Sequence, residues 1–141
     1  SGSLESVEQA MVLAAERGAK RVIPLKVGGA FHSGLMKPAQ SGLIEALEKA
    51  NLHNGNIPIV ANCTAQPIST ADEIRKELSD QIVGCVQWKK SMEFMIKSGV
   101  TDFYEIGPGR ALSGMVKKID RSVEVHSLAD MEGVEFLAAR S

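Results

Sequence analysis

A histidine in a glycine-flanked loop is the residue of this sequence best placed to do chemistry. His32 lies in residues 28–34, which read Gly-Gly-Ala-Phe-His-Ser-Gly, and apolar residues at helical spacing begin at Met36. Loops that lead into helices often present functional side chains to a cleft, and an imidazole there can accept and return a proton as a general base. The alternative is a surface or packing histidine. His53, in a polar stretch, and His126, in a short β-rich run, lack such a setting, and we expect both to be structural or solvated.

A polar side chain falls on the apolar face of a predicted helix. Thr70 and Glu73 form a capping-box pattern, and the helix that follows carries Ile74 and Leu78 on one face. Gln81 lies seven residues after Ile74 and three after Leu78, so it shares that face. A polar residue there requires a hydrogen-bonding partner inside the fold.

A second glycine-rich segment joins a predicted strand to a predicted helix. Residues 104–110 read Tyr-Glu-Ile-Gly-Pro-Gly-Arg. Helix N-termini can bind phosphate, but the segment fits neither GxGxxG nor GxxxxGK[ST]. A tight turn whose glycines let strand and helix pack closely is the favoured interpretation. Arg110 is unfavourable at the positive end of a helix dipole, which hints at a role beyond helix stability.

Helices alternate with strands along the whole chain, which predicts an α/β fold with parallel strand pairs. The first helix is predicted to begin at a capping box of Ser6 and Gln9 and to end at Gly18. A β-rich run at 22–27 contains Pro24, which confines it to a sheet edge. Periodicity then predicts helices after Met36, Thr70 and Trp88 and from Leu112 to Ile119, strands over 57–61, 100–106 and 123–128, and a terminal helical turn or two.

The composition bounds the class of protein. A chain of 141 residues forms one domain or part of one, and 44% hydrophobic with 23% charged residues is typical of proteins that fold in water. The net charge of -1 argues against nucleic-acid binding through bulk positive charge, and no apolar run is long enough for a membrane. Cys63 and Cys85 have no metal-site or disulfide spacing, so two buried free thiols and no metal are predicted.

Three segments together resemble the motifs of a known enzyme family. Residues 29–36 resemble the histidine motif of malonyl-CoA:acyl carrier protein transacylases, and residues 104–114 resemble their C-terminal signature. Between them, Gln81 to Trp88 is similar to the family's Gln-containing segment. The resemblance covers nearly the whole chain but only the family's C-terminal half. The chain also begins without methionine, so we expect a missing N-terminal half with the Gly-rich loop, the Gly-His-Ser-x-Gly elbow and the substrate arginine.

The resemblance implies a fold and a mechanism. Residues 1–28 would be the last helix and strand of a ferredoxin-like small subdomain, and residues 29–141 the C-terminal part of an α/β-hydrolase-like core. In the family, a serine takes malonyl from coenzyme A and passes it to the phosphopantetheine thiol of acyl carrier protein. His32 would be the general base, and a main-chain carbonyl at Gln81 would hold its second ring nitrogen. Phe31 would exclude the α-methyl group of methylmalonyl.

The resemblance also implies partners. The acidic acyl carrier protein would meet a basic cluster of Lys117, Lys118 and Arg121, for which a solvated helix end is the alternative. The substrate is malonyl-CoA and no cofactor is expected. The location would be the cytoplasm of a bacterium or a plastid or mitochondrion. No serine of the chain has the elbow frame, so we expect the chain alone to be inactive. The alternatives are a non-catalytic α/β binding module and an acyltransferase domain of a multidomain polyketide or fatty acid synthase.

Overall fold

The structure is a computed structural model that describes residues 1–139. They form two compact units, one of residues 1–87 and one that begins at Trp88. The boundary predicted at residue 28 stays a prediction. Within the described residues the strands form one antiparallel and one parallel pair, and the parallel pair confirms the predicted α/β class.

The first helix, α1, spans Leu4–Glu16 and begins earlier than predicted. Its N-cap is Ser3, whose side chain accepts a hydrogen bond from the Ser6 backbone N–H, so the capping box predicted at Ser6 is wrong. A serine directly before the helix-forming residues offers a cap one turn earlier. Gly18 follows the helix at a φ of 85°, the left-handed conformation that glycine adopts without strain, and ends it as predicted.

The strand predicted over 22–27 is wrong for this structure. The segment joins no strand ladder among the described residues, and Ile23, Leu25 and Val27 are mainly exposed. A β-strand needs the hydrogen bonds of a neighbouring strand, which a favourable local sequence cannot supply.

A short antiparallel pair of strands flanks the turn at residues 61–66 of the first unit. β1 is Ile59–Val60, shorter than predicted, and β2 is Pro67–Ile68, which the sequence reading missed. In the turn between them Ala61 and Ala65 are almost fully buried, and the Ala65 N–H donates to the Ala61 carbonyl at 2.9 Å. The turn therefore has a fixed shape.

Two helices complete the first unit. A short 3-10 helix at Gly34–Met36 leads into α2, Lys37–Lys49, and α3 spans Ala71–Gln81. The predicted capping box of α3 is confirmed, because the Glu73 N–H donates to the Thr70 hydroxyl and the Thr70 N–H to the Glu73 carboxylate. Backbone N–H groups of Thr70 and Ser69 hold the pKa of Glu73 below its usual range. The α3 start is thus fixed by its own side chains.

The second unit is a parallel β-α-β arrangement with a core of its own. It contains α4 (Trp88–Lys97), β3 (Asp102–Ile106), α5 (Ala111–Ile119), β4 (Glu124–Leu128) and α6 (Met131–Ala138). β3 and β4 pair in parallel, with Phe103 opposite Val125. Met92, Val116 and Val123 form the buried cluster on which both of those residues pack. The strand and helix predictions for this unit are confirmed; both strands begin later than predicted, and α5 begins one residue earlier.

The thiol prediction is partly wrong. Both cysteines are free, but Cys63 is only half-buried and Cys85 is exposed. Cys85 lies in the loop after α3. Burial raises the pKa of the Cys63 thiol, and the carboxylates of Glu77 and Asp80 add to the rise.

Candidate active site

His32 is exposed and held in an uncommon backbone conformation. Its φ is 59°, the left-handed region that a non-glycine residue enters at a cost. The backbone N–H of His32 donates to the Ile82 carbonyl at 3.1 Å, which ties the loop to the residue after α3. Strained residues that persist in this way cluster at functional sites.

The imidazole of His32 contacts the end of α3. Its Nδ1 lies 2.7 Å from the main-chain carbonyl oxygen of Gln81. A carbonyl oxygen can only accept, so this contact is a hydrogen bond only when Nδ1 carries the proton. In the neutral ring Nε2 then keeps its lone pair. The contact therefore selects the tautomer that can accept a proton at Nε2.

Gln81 uses its side chain as well as its carbonyl. The side chain is half-buried, as the helical face predicts, and its Oε1 accepts from Asn62 Nδ2 at 2.9 Å. Asn62 is the partner that sequence reasoning missed, although it stands directly after the predicted strand over 57–61. The Asn62 carbonyl also accepts from the Gln87 N–H at 2.7 Å. Asn62 thus contacts both ends of residues 81–87.

The turn after α3 packs closely on Cys63. A Cβ added to Gly84 would lie 2.7 Å from Cys63 Sγ and 2.9 Å from the Asp80 carbonyl oxygen. The Gly84 N–H donates to that same carbonyl at 2.8 Å. Any larger residue at position 84 would force its surroundings to shift, so glycine allows the close packing of this turn just after Gln81.

Phe31 and Ser33 flank the histidine. Phe31 is 51% exposed, so its ring is no part of a core among the described residues. A Cβ on Gly29 would lie 3.1 Å from the Phe31 ring, so the ring lies close to the Gly29 backbone. The Ser33 hydroxyl donates to the Ala30 carbonyl at 2.6 Å and caps the 3-10 helix, so it is engaged away from His32.

The glycine segment at 107–109 forms a tight turn. Gly107 and Gly109 have φ values of 128° and 100°, which favour glycine. The Leu112 and Ser113 N–H groups donate to the Glu105 carboxylate at 3.0 and 2.7 Å. The Ser113 hydroxyl and N–H hold the pKa of Glu105 below its usual range. A carboxylate of the chain therefore already occupies the anion position of α5, which supports the turn interpretation over a phosphate loop.

Arg110, His126 and His53 are the other residues of this kind that the sequence singled out. Arg110 precedes α5 without capping it and lines a cavity of about 560 Å³ in the second unit together with Ser113 and His126. His126 stacks on Tyr104 with ring centroids 4.8 Å apart, and His53 is exposed in its loop. Both agree with the predicted structural or solvated roles.

The three cations of the predicted basic cluster differ in their exposure and contacts. Lys117 Nζ donates to the Val123 carbonyl at 2.6 Å and is half-buried, so it links α5 to the start of β4. Lys118 and Arg121 are exposed. Across residues 1–139 no three His, Cys, Asp or Glu side chains are grouped to hold a metal ion, and no helix is long and apolar enough to cross a membrane.

The chain is similar to known bacterial malonyl transferases. It is 42% identical over 135 residues to the malonyl CoA-acyl carrier protein transacylase of Bacillus subtilis, covering 96% of this chain and 43% of that protein. An acyl-carrier-protein-S-malonyltransferase structure from Bartonella henselae aligns with a TM-score of 0.92 at 32% identity, over 99% of this chain and 44% of that chain. No family model matches.

A further solved structure is a type II PKS acyl-carrier protein in complex with its malonyl-transacylase. It aligns with a TM-score of 0.92 at 33% identity, over 99% of this chain and 45% of that chain. The chain thus spans less than half the length of each of these relatives. Sequence and fold agree over nearly all of its residues, and the resemblance read from the three motifs is confirmed. Over nearly its whole length the chain is similar to the C-terminal part of malonyl CoA-acyl carrier protein transacylases.

Proposed function

We propose that this chain supplies the general base of a malonyl-CoA:acyl carrier protein transacylase, and that the nucleophilic serine comes from a segment outside the 141 residues. The single observation that carries the proposal is the 2.7 Å contact of His32 Nδ1 with the Gln81 carbonyl, which leaves Nε2 free. The names of the relatives and the absence of a Gly-x-Ser-x-Gly frame support it.

The proposed chemistry is a two-step acyl transfer. The serine oxygen attacks the thioester carbonyl of malonyl-CoA while its proton moves to His32 Nε2. The C–S bond breaks, and the coenzyme A thiolate takes the proton from the imidazolium, leaving malonyl as a serine ester. The thiol of phosphopantetheine on acyl carrier protein then attacks the ester in the same way, with His32 again receiving and returning one proton. No cofactor takes part.

The Gln81 carbonyl orients the ring throughout this cycle. Its oxygen lies 2.7 Å from Nδ1 and accepts the Nδ1–H, and this bond holds the ring in one orientation while Nε2 gains and loses a proton. A neutral carbonyl does this less strongly than a carboxylate would. We therefore assign Gln81 to orientation of the base and not to proton transfer.

Phe31 is the proposed selector of the acyl group. It directly precedes His32, and its exposed ring rests against Gly29. In the intact site the ring would occupy the space that the α-methyl of methylmalonyl requires. Such exclusion of one methyl group is worth about 1–3 kcal/mol in discrimination.

The finer fold and the partners are part of the same proposal. We assign residues 1–28 to the end of a ferredoxin-like small subdomain and residues 29–141 to the α/β-hydrolase-like core. The parallel pair of β3 and β4 supports the second assignment, and the TM-scores support a shared fold. Lys118 and Arg121 are the cations we assign to acyl carrier protein docking. Lys117 is less suited to it because its ammonium is engaged by Val123. The cytoplasmic or organellar location stays a prediction.

A second candidate is the same transfer in polyketide assembly. The solved complex with a type II PKS acyl-carrier protein favours it. The two candidates use the same residues of this chain and differ in the carrier protein that accepts malonyl.

A chimera tests the proposal. The matched C-terminal part of the Bacillus subtilis relative is replaced by this chain, and transfer of radiolabelled malonyl to acyl carrier protein is measured. We expect transfer, and we expect His32→Ala to lower it by a factor of about 10²–10⁴, the typical contribution of a general base. His53→Ala is the matched control, because that histidine is exposed in a loop, and it should leave the rate unchanged.

Two results contradict the proposal. A folded chimera that takes up no malonyl would favour the non-catalytic binding module. A His32→Ala chimera with the rate of its His53→Ala control would remove His32 from the base role. Circular dichroism of each chimera shows whether it has folded.

A further inference from the structure

Asn62 is one of the residues that attach residues 81–87 to the rest of the first unit. The Asn62 side chain donates to Gln81 Oε1 at 2.9 Å, and the Asn62 carbonyl accepts from the Gln87 N–H at 2.7 Å. The first bond lies at the end of α3, and the second closes the loop that follows it. A single residue therefore holds both ends of a seven-residue segment.

The same segment supports the histidine at two atoms. The Gln81 carbonyl faces His32 Nδ1 at 2.7 Å, and the Ile82 carbonyl accepts from the His32 N–H at 3.1 Å. Both carbonyls lie at the end of α3, where the backbone lacks the continuing bonds that fix the middle of a helix. Contacts made by Gln81 can therefore help to direct these two carbonyls.

The Asn62 turn is itself well anchored. Ala61 and Ala65 on either side are buried, and the Cys63 N–H donates to the Glu77 carboxylate at 3.0 Å. The Asn62 amide therefore projects from a fixed turn, while the Gln81 amide, with three side-chain torsions, gains its fixed direction from that contact.

We propose that Asn62 is a positioning residue: its side-chain bond to Gln81 aims the Gln81 carbonyl at His32 Nδ1 and so maintains the tautomer with a free Nε2. The effect of Asn62 on catalysis rests on the proposed function. Its effect on the Gln81 carbonyl and on the His32 tautomer is a property of the 141-residue chain itself. Asn62 is assigned no contact with substrate.

The test is ¹⁵N NMR of the His32 ring in the 141-residue chain, in mildly alkaline buffer. The two ring nitrogens have different shifts in the two neutral tautomers, so the spectrum reports their ratio. We expect Asn62→Ala to lower the ratio of the Nδ1–H to the Nε2–H form about three- to tenfold, the range that one net hydrogen bond allows.

Asn54→Ala is the matched control. The Asn54 side chain accepts from the Ala71 N–H at 2.9 Å, so this substitution removes a comparable bond at the opposite end of α3. It should lower stability without changing the His32 ratio. A general loosening of the helix would move the ratio in both variants, and that result would overturn the proposal.

Two more variants keep the test decisive if Asn62→Ala folds poorly. Asn62→Asp should restore most of the ratio, because the Gln81 amide can rotate and donate its Nε2–H to the carboxylate. Gln81→Ala should match Asn62→Ala, and the double variant should add nothing further. Additive effects, or a failure of Asn62→Asp to restore the ratio, would contradict the proposal.

The chimera separates this inference from the proposed function. There Asn62→Ala should lower kcat for malonyl transfer and leave KM for malonyl-CoA unchanged, since Asn62 is assigned no contact with substrate. An inactive parent chimera would refute the proposed function alone, because the NMR ratio does not depend on turnover. An unchanged NMR ratio would refute the inference alone.

Discussion

A methyl group added at Gly84 should destabilise the first unit. In Gly84→Ala the new Cβ would lie 2.7 Å from Cys63 Sγ and 2.9 Å from the Asp80 carbonyl oxygen. The thiol is a side-chain end and can rotate away, but the carbonyl is backbone and accepts hydrogen bonds from both Gly84 and Val83. Relief of that contact must therefore move the last turn of α3 or the loop behind it.

The magnitude follows from these two contacts. Overpacking of this kind typically costs about 1–3 kcal/mol. The smaller conformational freedom of alanine in the unfolded chain returns up to about 1 kcal/mol. We expect the free energy of unfolding to fall by about 1–2 kcal/mol in total.

Gly42→Ala is the matched control in the same unit. Gly42 lies within α2, and a Cβ there would meet nothing within 4 Å. Alanine should therefore stabilise the helix by about 0.5–1 kcal/mol. The same chemical change is thus expected to have opposite signs at the two positions.

Urea unfolding of the 141-residue chain, followed by far-ultraviolet circular dichroism, measures both variants. Combining Gly84→Ala with Cys63→Ala should recover only part of the loss, because the Asp80 carbonyl contact remains. Equal stability of Gly84→Ala and the parent, or a gain like that of Gly42→Ala, would refute the close packing described for this turn.

Three further outcomes are expected. Because His32 has a left-handed backbone, the free energy of unfolding of His32→Gly should be about 1 kcal/mol higher than that of His32→Ala. Both variants lack the imidazole, and only glycine adopts that φ freely. Equal free energies in urea unfolding would contradict this. The lowered pKa of Glu105 means that the unfolded chain binds a proton at a higher pH than the folded one. The stabilisation by Glu105 is present above the ordinary carboxyl pKa and is lost as the pH falls through the lowered pKa. The melting temperature of Glu105→Gln should therefore change less with pH than that of the parent in this acidic range. An identical pH dependence of the two melting temperatures would count against the α5 cap. In the chimera Phe31→Ser should raise methylmalonyl transfer relative to malonyl roughly ten- to a hundredfold, and an unchanged ratio of the two rates would remove Phe31 from selectivity.

The sequence by itself determined the features that depend on near neighbours. The capping box of Thr70 and Glu73, the glycine that ends α1 and the inward position of Gln81 all follow from spacing within a few residues. The parallel pair of β3 and β4 followed from strands separated by a helix. The three segments at 29–36, 81–88 and 104–114, taken together, were enough to indicate the family.

Only the tertiary structure decided how distant segments meet. The run at 22–27 has a strand-like sequence but no strand partner among the described residues, and periodicity cannot supply one. Asn62 and Gln81 are 19 positions apart, and His32 and Gln81 are 49 apart. No local pattern encodes such pairs, because their geometry depends on how the 61–65 turn and the histidine loop pack on the end of α3. The residue types of the candidate site can be read from the sequence, whereas the direction in which the Gln81 carbonyl points depends on the packing.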